Sequence, residues 1–224
     1  MRILPIANDN RYYVSLGDAQ SRGTAYDPGA ASKFFARLAA LESGWKMIPL
    51  ATEGATGATV RYVQLPRLRE MAITPSLITL TLGAGDLSRL AFGYGKAVCK
   101  ELNAHVAVLF DTLRESAPGC VILLSALYDP MDGIDPVLAT GVARFNGALR
   151  AIAASYSATV ADTDALFAGH GALVGDPLSQ DDFAAPSGLY LCAGADLTPV
   201  PNRDGGMVLA DALFAVYQAT VPGR

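Results

Sequence analysis

The fold class this sequence predicts is a three-layer α/β/α sandwich around a five-stranded parallel sheet. Residues 77–83 (LITLTLG) and 120–127 (CVILLSAL) are continuous apolar runs, as expected of strands covered on both faces. Residues 95–115 and 136–156 are long stretches with helical periodicity. Strands that alternate with helices in this way pair in parallel, and the crossover helices cover both faces of the sheet.

Taken in order, residues 11–16 form a strand candidate that ends at Gly17. Residues 30–41 follow a helical period, with Phe34, Phe35, Leu38 and Leu41 as the apolar stripe and Gly44 as the stop. Residues 46–51 give a second short strand, and 53–57 a small-residue turn opening a helix to about residue 65, where Pro66 is expected to interfere. The strand at 77–83 precedes the helix at 95–115, which Pro118-Gly119 ends. The strand at 120–127, the helix at 136–156 and a short strand at 158–162 complete the sheet. Residues 169–201 are rich in Gly, Pro and Asp with little periodicity, which predicts a long functional loop or lid. An amphipathic helix at 206–217 closes the chain. No linker or repeat divides it, so a single domain over residues 1–224 is expected.

Composition narrows the partners. Net charge is −4 with no basic block, which argues against nucleic acid. No apolar run approaches the roughly 20 residues of a membrane helix, and no membrane partner is expected. The run from Ile3 to Ala7 is too short and interrupted for a signal peptide, so a cytoplasmic location is expected. Cys99, Cys120 and Cys192 are odd in number and widely spaced, the pattern of buried thiols and not of a metal site or disulfide frame. The expectation is a small-molecule substrate with no cofactor and no metal; the oligomeric state stays open.

In such sheets ligands bind at the carboxyl ends of the strands, here the loops starting at Gly17, Thr52, Gly83 and Leu127. Four blocks on those loops and beyond carry a recognisable pattern. They are Gly17-Asp18-Ala19-Gln20-Ser21-Arg22-Gly23; Leu50-Ala51-Thr52-Glu53-Gly54-Ala55-Thr56 with Gln64-Leu65-Pro66-Arg67-Leu68; Thr79-Leu80-Thr81-Leu82-Gly83-Ala84-Gly85-Asp86-Leu87; and Val200-Pro201-Asn202-Arg203-Asp204-Gly205-Gly206. In this order the blocks resemble the SGNH (GDSL-type) hydrolase family over nearly the whole chain. Tyr128-Asp129-Pro130 and Gly169-His170-Gly171 are similar to features of its actinobacterial members. The resemblance implies the SGNH-hydrolase, flavodoxin-like fold, with strand order 2-1-3-4-5.

Carried over residue by residue, the resemblance puts Ala19 at the ancestral nucleophile position and Val200 at that of the base histidine. In a second register Asp196-Leu197-Thr198-Pro199 takes the family's last block, with Thr198 near the histidine slot. Gly85 stands where the family has an oxyanion asparagine. Gly54 keeps its expected place, with a backbone N–H facing an oxyanion, and the N–H of Ala19 is a second candidate donor. Serine attack needs a hydroxyl, a base within reach and donors aimed at the developing charge. The resemblance therefore implies an ester-cleaving pocket without its Ser-His pair.

Asp18, Glu53 and Asp86 are the remaining candidates for chemistry, since all map to site-facing loops. Converging in an apolar cleft, carboxylates push one pKa upward and make an acid/base pair. Each also has an ordinary reading: a buried hydrogen-bonder for Asp18, a solvated carboxylate for Glu53 and a helix cap for Asp86. Arg22 either pairs with an anionic substrate or is a surface arginine. Tyr26, Tyr128, Asp129, Tyr190, Asp196 and Val200 are candidate pocket residues, His170 starts the presumed lid, and His105 within a helix is expected to be structural. Three functions are open: a non-hydrolytic lyase or cyclase using the carboxylates, in a setting such as bacterial secondary metabolism; a GDSL-type ester hydrolase with its serine replaced by Ala19; and a ligand-binding pseudoenzyme.

Overall fold

The computed structural model describes residues 11–24, 27–170 and 199–221, together with the backbone of 191–193. Its centre is a parallel sheet of β1 (Arg11–Gly17), β2 (Trp45–Pro49), β3 (Pro75–Thr81), β4 (Val121–Ser125) and β5 (Thr159–Ala161). The strand order is β2-β1-β3-β4-β5, as the resemblance implied. The switch point lies between β1 and β3, where consecutive connections leave in opposite directions, and open α/β sheets bind ligands at the strand ends of such a point.

The period-2 alternation of strands separates two cores. Val14, Leu16, Ile78, Leu80 and Leu124 face the layer of α6 (Gly95–Ser116), which the short α5 (Leu87–Ala91) precedes, and α7 (Pro136–Ser155). Tyr13, Leu77 and Leu123 face α2 (Gly29–Leu41) and α9 (Arg203–Thr220). Phe110 and Phe145 on one side and Phe34 on the other are fully buried, and side chains of this size each stabilise the fold by about 1.5–3 kcal/mol. The long connections are therefore helices because their apolar stripes close the sheet.

Two expectations about local structure are corrected. The segment after β2 does not end at Pro66. A short helix α3 (Gly57–Thr59) runs into a π turn at Val60–Gln64 and then into α4 (Leu65–Glu70). Pro66 sits in the first turn of α4, where a missing N–H is tolerated. Part of the 169–201 stretch is regular: β6 (Leu191–Ala193) pairs antiparallel with β7 (Pro199–Pro201). Two prolines and no apolar alternation gave that pair no strand signal. Residues 171–190 and 194–198 of the presumed lid lie outside the described residues.

Candidate functional site

The site begins where β1 ends. Gly17 has φ +105°, and a Cβ there would lie 1.7 Å from the Thr81 carbonyl oxygen. Glycine alone lets β1 run this close to the backbone of β3 before turning. The turn leads into α1 (Ala19–Arg22), one short helical turn capped by Asp18.

Asp18 is fully buried, and its carboxylate ties α1 to the loop after β3. Oδ1 accepts from the Gln20 N–H at 3.1 Å. Oδ2 accepts from Gln20 Nε2 at 3.2 Å and from the Ala84 N–H at 3.0 Å. Burial pushes the Asp18 pKa up, against the pull of these hydrogen bonds. Below it, Thr81 Oγ1 donates to Ser21 Oγ at 3.1 Å, so both polar residues after Ala19 point inward. Ala19 itself is 5% exposed and offers only a methyl group.

β7 packs against α1 and brings Val200 to this region. Val200 is buried, and the chain after it enters α9 through Asn202, whose side chain accepts from the N–H groups of Asp204 and Gly205. Tyr128, fully buried, donates its hydroxyl to the Pro199 carbonyl at 2.9 Å and stacks on Phe167 at 4.8 Å. The loop after β4 thus holds the start of β7 in place. His170 follows α8 (Thr163–Phe167), with its N–H donating to the Phe167 carbonyl, and the Gly169 N–H beside it is bound by Asp132.

On the other side of position 19 the loops after β2 and β3 meet at backbone level. A Cβ on Gly85 would lie 2.7 Å from the Gly54 carbonyl oxygen and 2.8 Å from that of Ala55. No side chain fits there unless the loops part. Gly54 is exposed, with φ +66° and open space around it. Among the described residues, neither the Ala19 N–H nor the Gly54 N–H meets an acceptor.

The three candidate carboxylates have separate partners. Asp18 is held by Gln20 and Ala84. Glu53 is at the surface, 3.8 Å from the Arg22 guanidinium. Asp86 is bound by Arg89 at 3.0 Å, and the same Nη1 reaches Glu101 at 2.8 Å. Burial pushes the Asp86 pKa up and the Arg89 charge opposes it. With Thr56, Glu101 and His105, Asp86 lines a gap of about 10 Å³ against α6, apart from position 19. His105 packs edge-on to Tyr62 at 5.6 Å, and its buried Nδ1 has no partner among the described residues. Asp129 caps its own loop through the N–H groups of Met131 and Gly133. Tyr26, Tyr190, Asp196 and Thr198 lie outside the described residues.

Gln64 was given no role by the sequence, although it stands in the second block. It is fully buried and hydrogen-bonded to both backbone groups of Gly17. No local signal marks it, because its neighbours Tyr62 and Val63 are exposed and its partner Gly17 lies 47 residues away. Among the described residues no three His, Cys, Asp or Glu side chains gather as for a metal ion, and no helix is long and apolar enough to cross a membrane. Cys99 and Cys120 are free thiols, and burial pushes that of Cys120 up to about 12.

A parallel sheet in this order, a Gly-Asp turn leaving β1 and a last helix entered through Pro201-Asn202 define a protein of SGNH-hydrolase fold. The chain belongs to the GDSL-like lipase/acylhydrolase family, whose sequence model matches residues 15–191. Among solved structures it is similar to the lipase Lip_vut3 from a goat rumen metagenome, at 18% identity and TM-score 0.66 over 92% of this chain and 96% of that one. An extracellular lipase from Streptomyces rimosus aligns at 16% identity and TM-score 0.65, over 91% of this chain and 99% of that chain. The acetylxylan esterase Axe2 from Geobacillus stearothermophilus aligns at 18% identity and TM-score 0.65, over 96% and 95% respectively. At these identities the likeness is one of fold. No curated protein matches the chain.

Proposed function

We propose that the crevice beside position 19 is an acyl-ester site of the GDSL-like kind, shaped for ester hydrolysis, with Ala19 in place of the serine nucleophile. The observation that carries this reading is the frame around position 19. Asp18, Gln20 and Ala84 hold the turn from behind, while the N–H groups of Ala19 and Gly54 remain without acceptors among the described residues. Two such donors suit the carbonyl oxygen of an ester and the charge it gains on attack.

With serine at 19, the hydroxyl would attack the ester carbonyl and a base would take its proton. Val200, on the strand against α1, is the position from which an imidazole would act. With Ala19 and Val200 in place the chain binds an ester and forms no acyl intermediate. Family membership and the lipase and esterase neighbours favour this substrate class. A lyase or cyclase run by carboxylates draws no support from the geometry, because Asp18, Glu53 and Asp86 are engaged by three different sets of partners.

The test is turnover of p-nitrophenyl acetate by Ala19→Ser, Val200→His and the double variant, with folding followed by circular dichroism. The double variant is expected to exceed the parent chain by at least about tenfold, which needs only about 1.4 kcal/mol of transition-state stabilisation. A folded double variant no faster than the parent sinks the reading.

A further inference from the structure

We infer that Gln64 is the positioning residue of this site: one buried amide fixes both the turn carrying position 19 and the loop carrying Gly54. Its Oε1 accepts from the Gly17 N–H at 2.7 Å. Its Nε2 donates to the Gly17 carbonyl at 2.8 Å and to Thr52 Oγ1 at 3.2 Å. Gly17 and Thr52 each stand two residues before the backbone N–H in question, those of Ala19 and Gly54. The amide continues a ladder that β2 abandons. The N–H groups of Leu50 and Thr52 still reach Ser15 and Gly17, but the chain then turns away, and the Gly17 N–H is met by a side chain instead of a strand.

Gln64 reaches this place through the π turn Val60–Gln64, in which the Leu65 N–H bonds to the Val60 carbonyl. The extra residue alters the face presented, since each residue of a helix advances about 100° around the axis. The result inverts the usual polarity: Val63 is 46% exposed and Tyr62 62% exposed, while Gln64 is fully buried. Burial preference alone would place valine inside and glutamine outside. π turns recur at functional sites, and local rules are broken mainly there.

That the fixed geometry is an ester site rests on the reading above; the coupling of the two loops does not. The experiment uses Gln64→Glu in the ¹⁵N-labelled full chain, titrated from about pH 4.5 to about pH 8.5 by NMR, a range wide enough for a buried carboxyl with a raised pKa. While protonated, the introduced carboxyl still offers one donor and one acceptor; once ionised it only accepts and repels the Gly17 carbonyl. The Ala19 and Gly54 amide signals are therefore expected to shift together with one midpoint. The exposed Gly119, at the other end of the sheet, is expected to stay still. Asp18 beside Ala19, its pKa raised by burial, and Glu53 beside Gly54 are carboxyls of the parent chain as well, so the transition is read as the difference from the parent's own titration. Gln64→Leu should add none, with both signals displaced throughout.

Separate midpoints, an unmoved pair, or native-like signals in Gln64→Leu overturn the coupling. Should the Gln64→Glu variant fail to fold, Thr52→Val removes one arm of the amide's contacts. The expected result is displaced amide signals at both Gly54 and Ala19, and a change at Gly54 alone overturns the inference. Ester turnover is not read in these measurements. A silent Ala19→Ser/Val200→His variant with coupled amides removes the ester reading alone, and restored turnover with uncoupled amides removes only the role of Gln64.

Discussion

Asp18 and Asp86 occupy matching places, each following a glycine near the carboxyl end of a central strand, and burial pushes both pKa values up. Their surroundings differ. Asp18 faces neutral donors, the Gln20 N–H and amide and the Ala84 N–H, with no arginine or lysine bonded to it among the described residues. Asp86 faces Arg89, which Glu101 shares, and looks toward α6. The first aspartate organises the backbone behind position 19, and the second ends a chain of ion pairs that reaches the surface. Burial of both carboxyls and a shared pKa direction thus do not mark equal roles; the partners do.

The largest expected effect is at Asp18. Asp18→Ala strands three buried donors, and at about 1 kcal/mol or more each the loss is about 3 kcal/mol or above. Urea unfolding would show this as a lower midpoint, and a cost no greater than that of Asp86→Ala would erase the contrast between the two aspartates. Next comes Gly85→Ala, because Gly85 lies between Ala84, which binds Asp18, and Asp86. Its new Cβ meets backbone oxygens 2.7 and 2.8 Å away, and overpacking of this kind costs about 1–3 kcal/mol. A neutral result would mean that the loops after β2 and β3 part easily.

Asp86 itself should show in the pH dependence of stability. Its folded pKa lies above the ordinary value of 3.8, so its favourable share is complete below that pH and is lost as pH rises through the folded pKa. Asp86→Asn does not titrate there. The unfolding free energy of the parent minus that of the variant should therefore fall as pH rises through this window; a rise would show that the Arg89 charge outweighs burial. The smallest effect is expected for Arg22→Ala. The Arg22–Glu53 pair is 3.8 Å long and exposed on both sides, and such pairs contribute about 0–1 kcal/mol, less in high salt.

Much of the sheet was legible because buried parallel strands have a plain signature. Residues 77–83 and 120–127 became β3 (Pro75–Thr81) and β4 (Val121–Ser125), and β3 ends before Gly83, which leaves the strand direction with φ +112°. The blocks around Gly17, Thr52, Gly83 and Val200 do meet at one sheet edge or against α1. What stayed illegible depends on through-space contact. Pro66 signalled a break, but a π turn ahead of it let the helix resume. Gln64 had no local partner to declare it, since Gly17 lies 47 residues away. Gly85 could be matched to a missing asparagine, but not to the carbonyl oxygens of Gly54 and Ala55 that fill the space. For Asp18 the sequence allowed two roles, and only the positions of Gln20 and Ala84 reveal which atoms it binds.

The central claim is that the frame of an ester site surrounds a position with no nucleophile. Intact-mass spectrometry after exposure to a fluorophosphonate tests it most directly. The parent chain should gain no adduct, and Ala19→Ser/Val200→His should gain one, located at position 19 by peptide mapping. An adduct on the parent chain, at Ser21 or any other hydroxyl of the crevice, would contradict the claim.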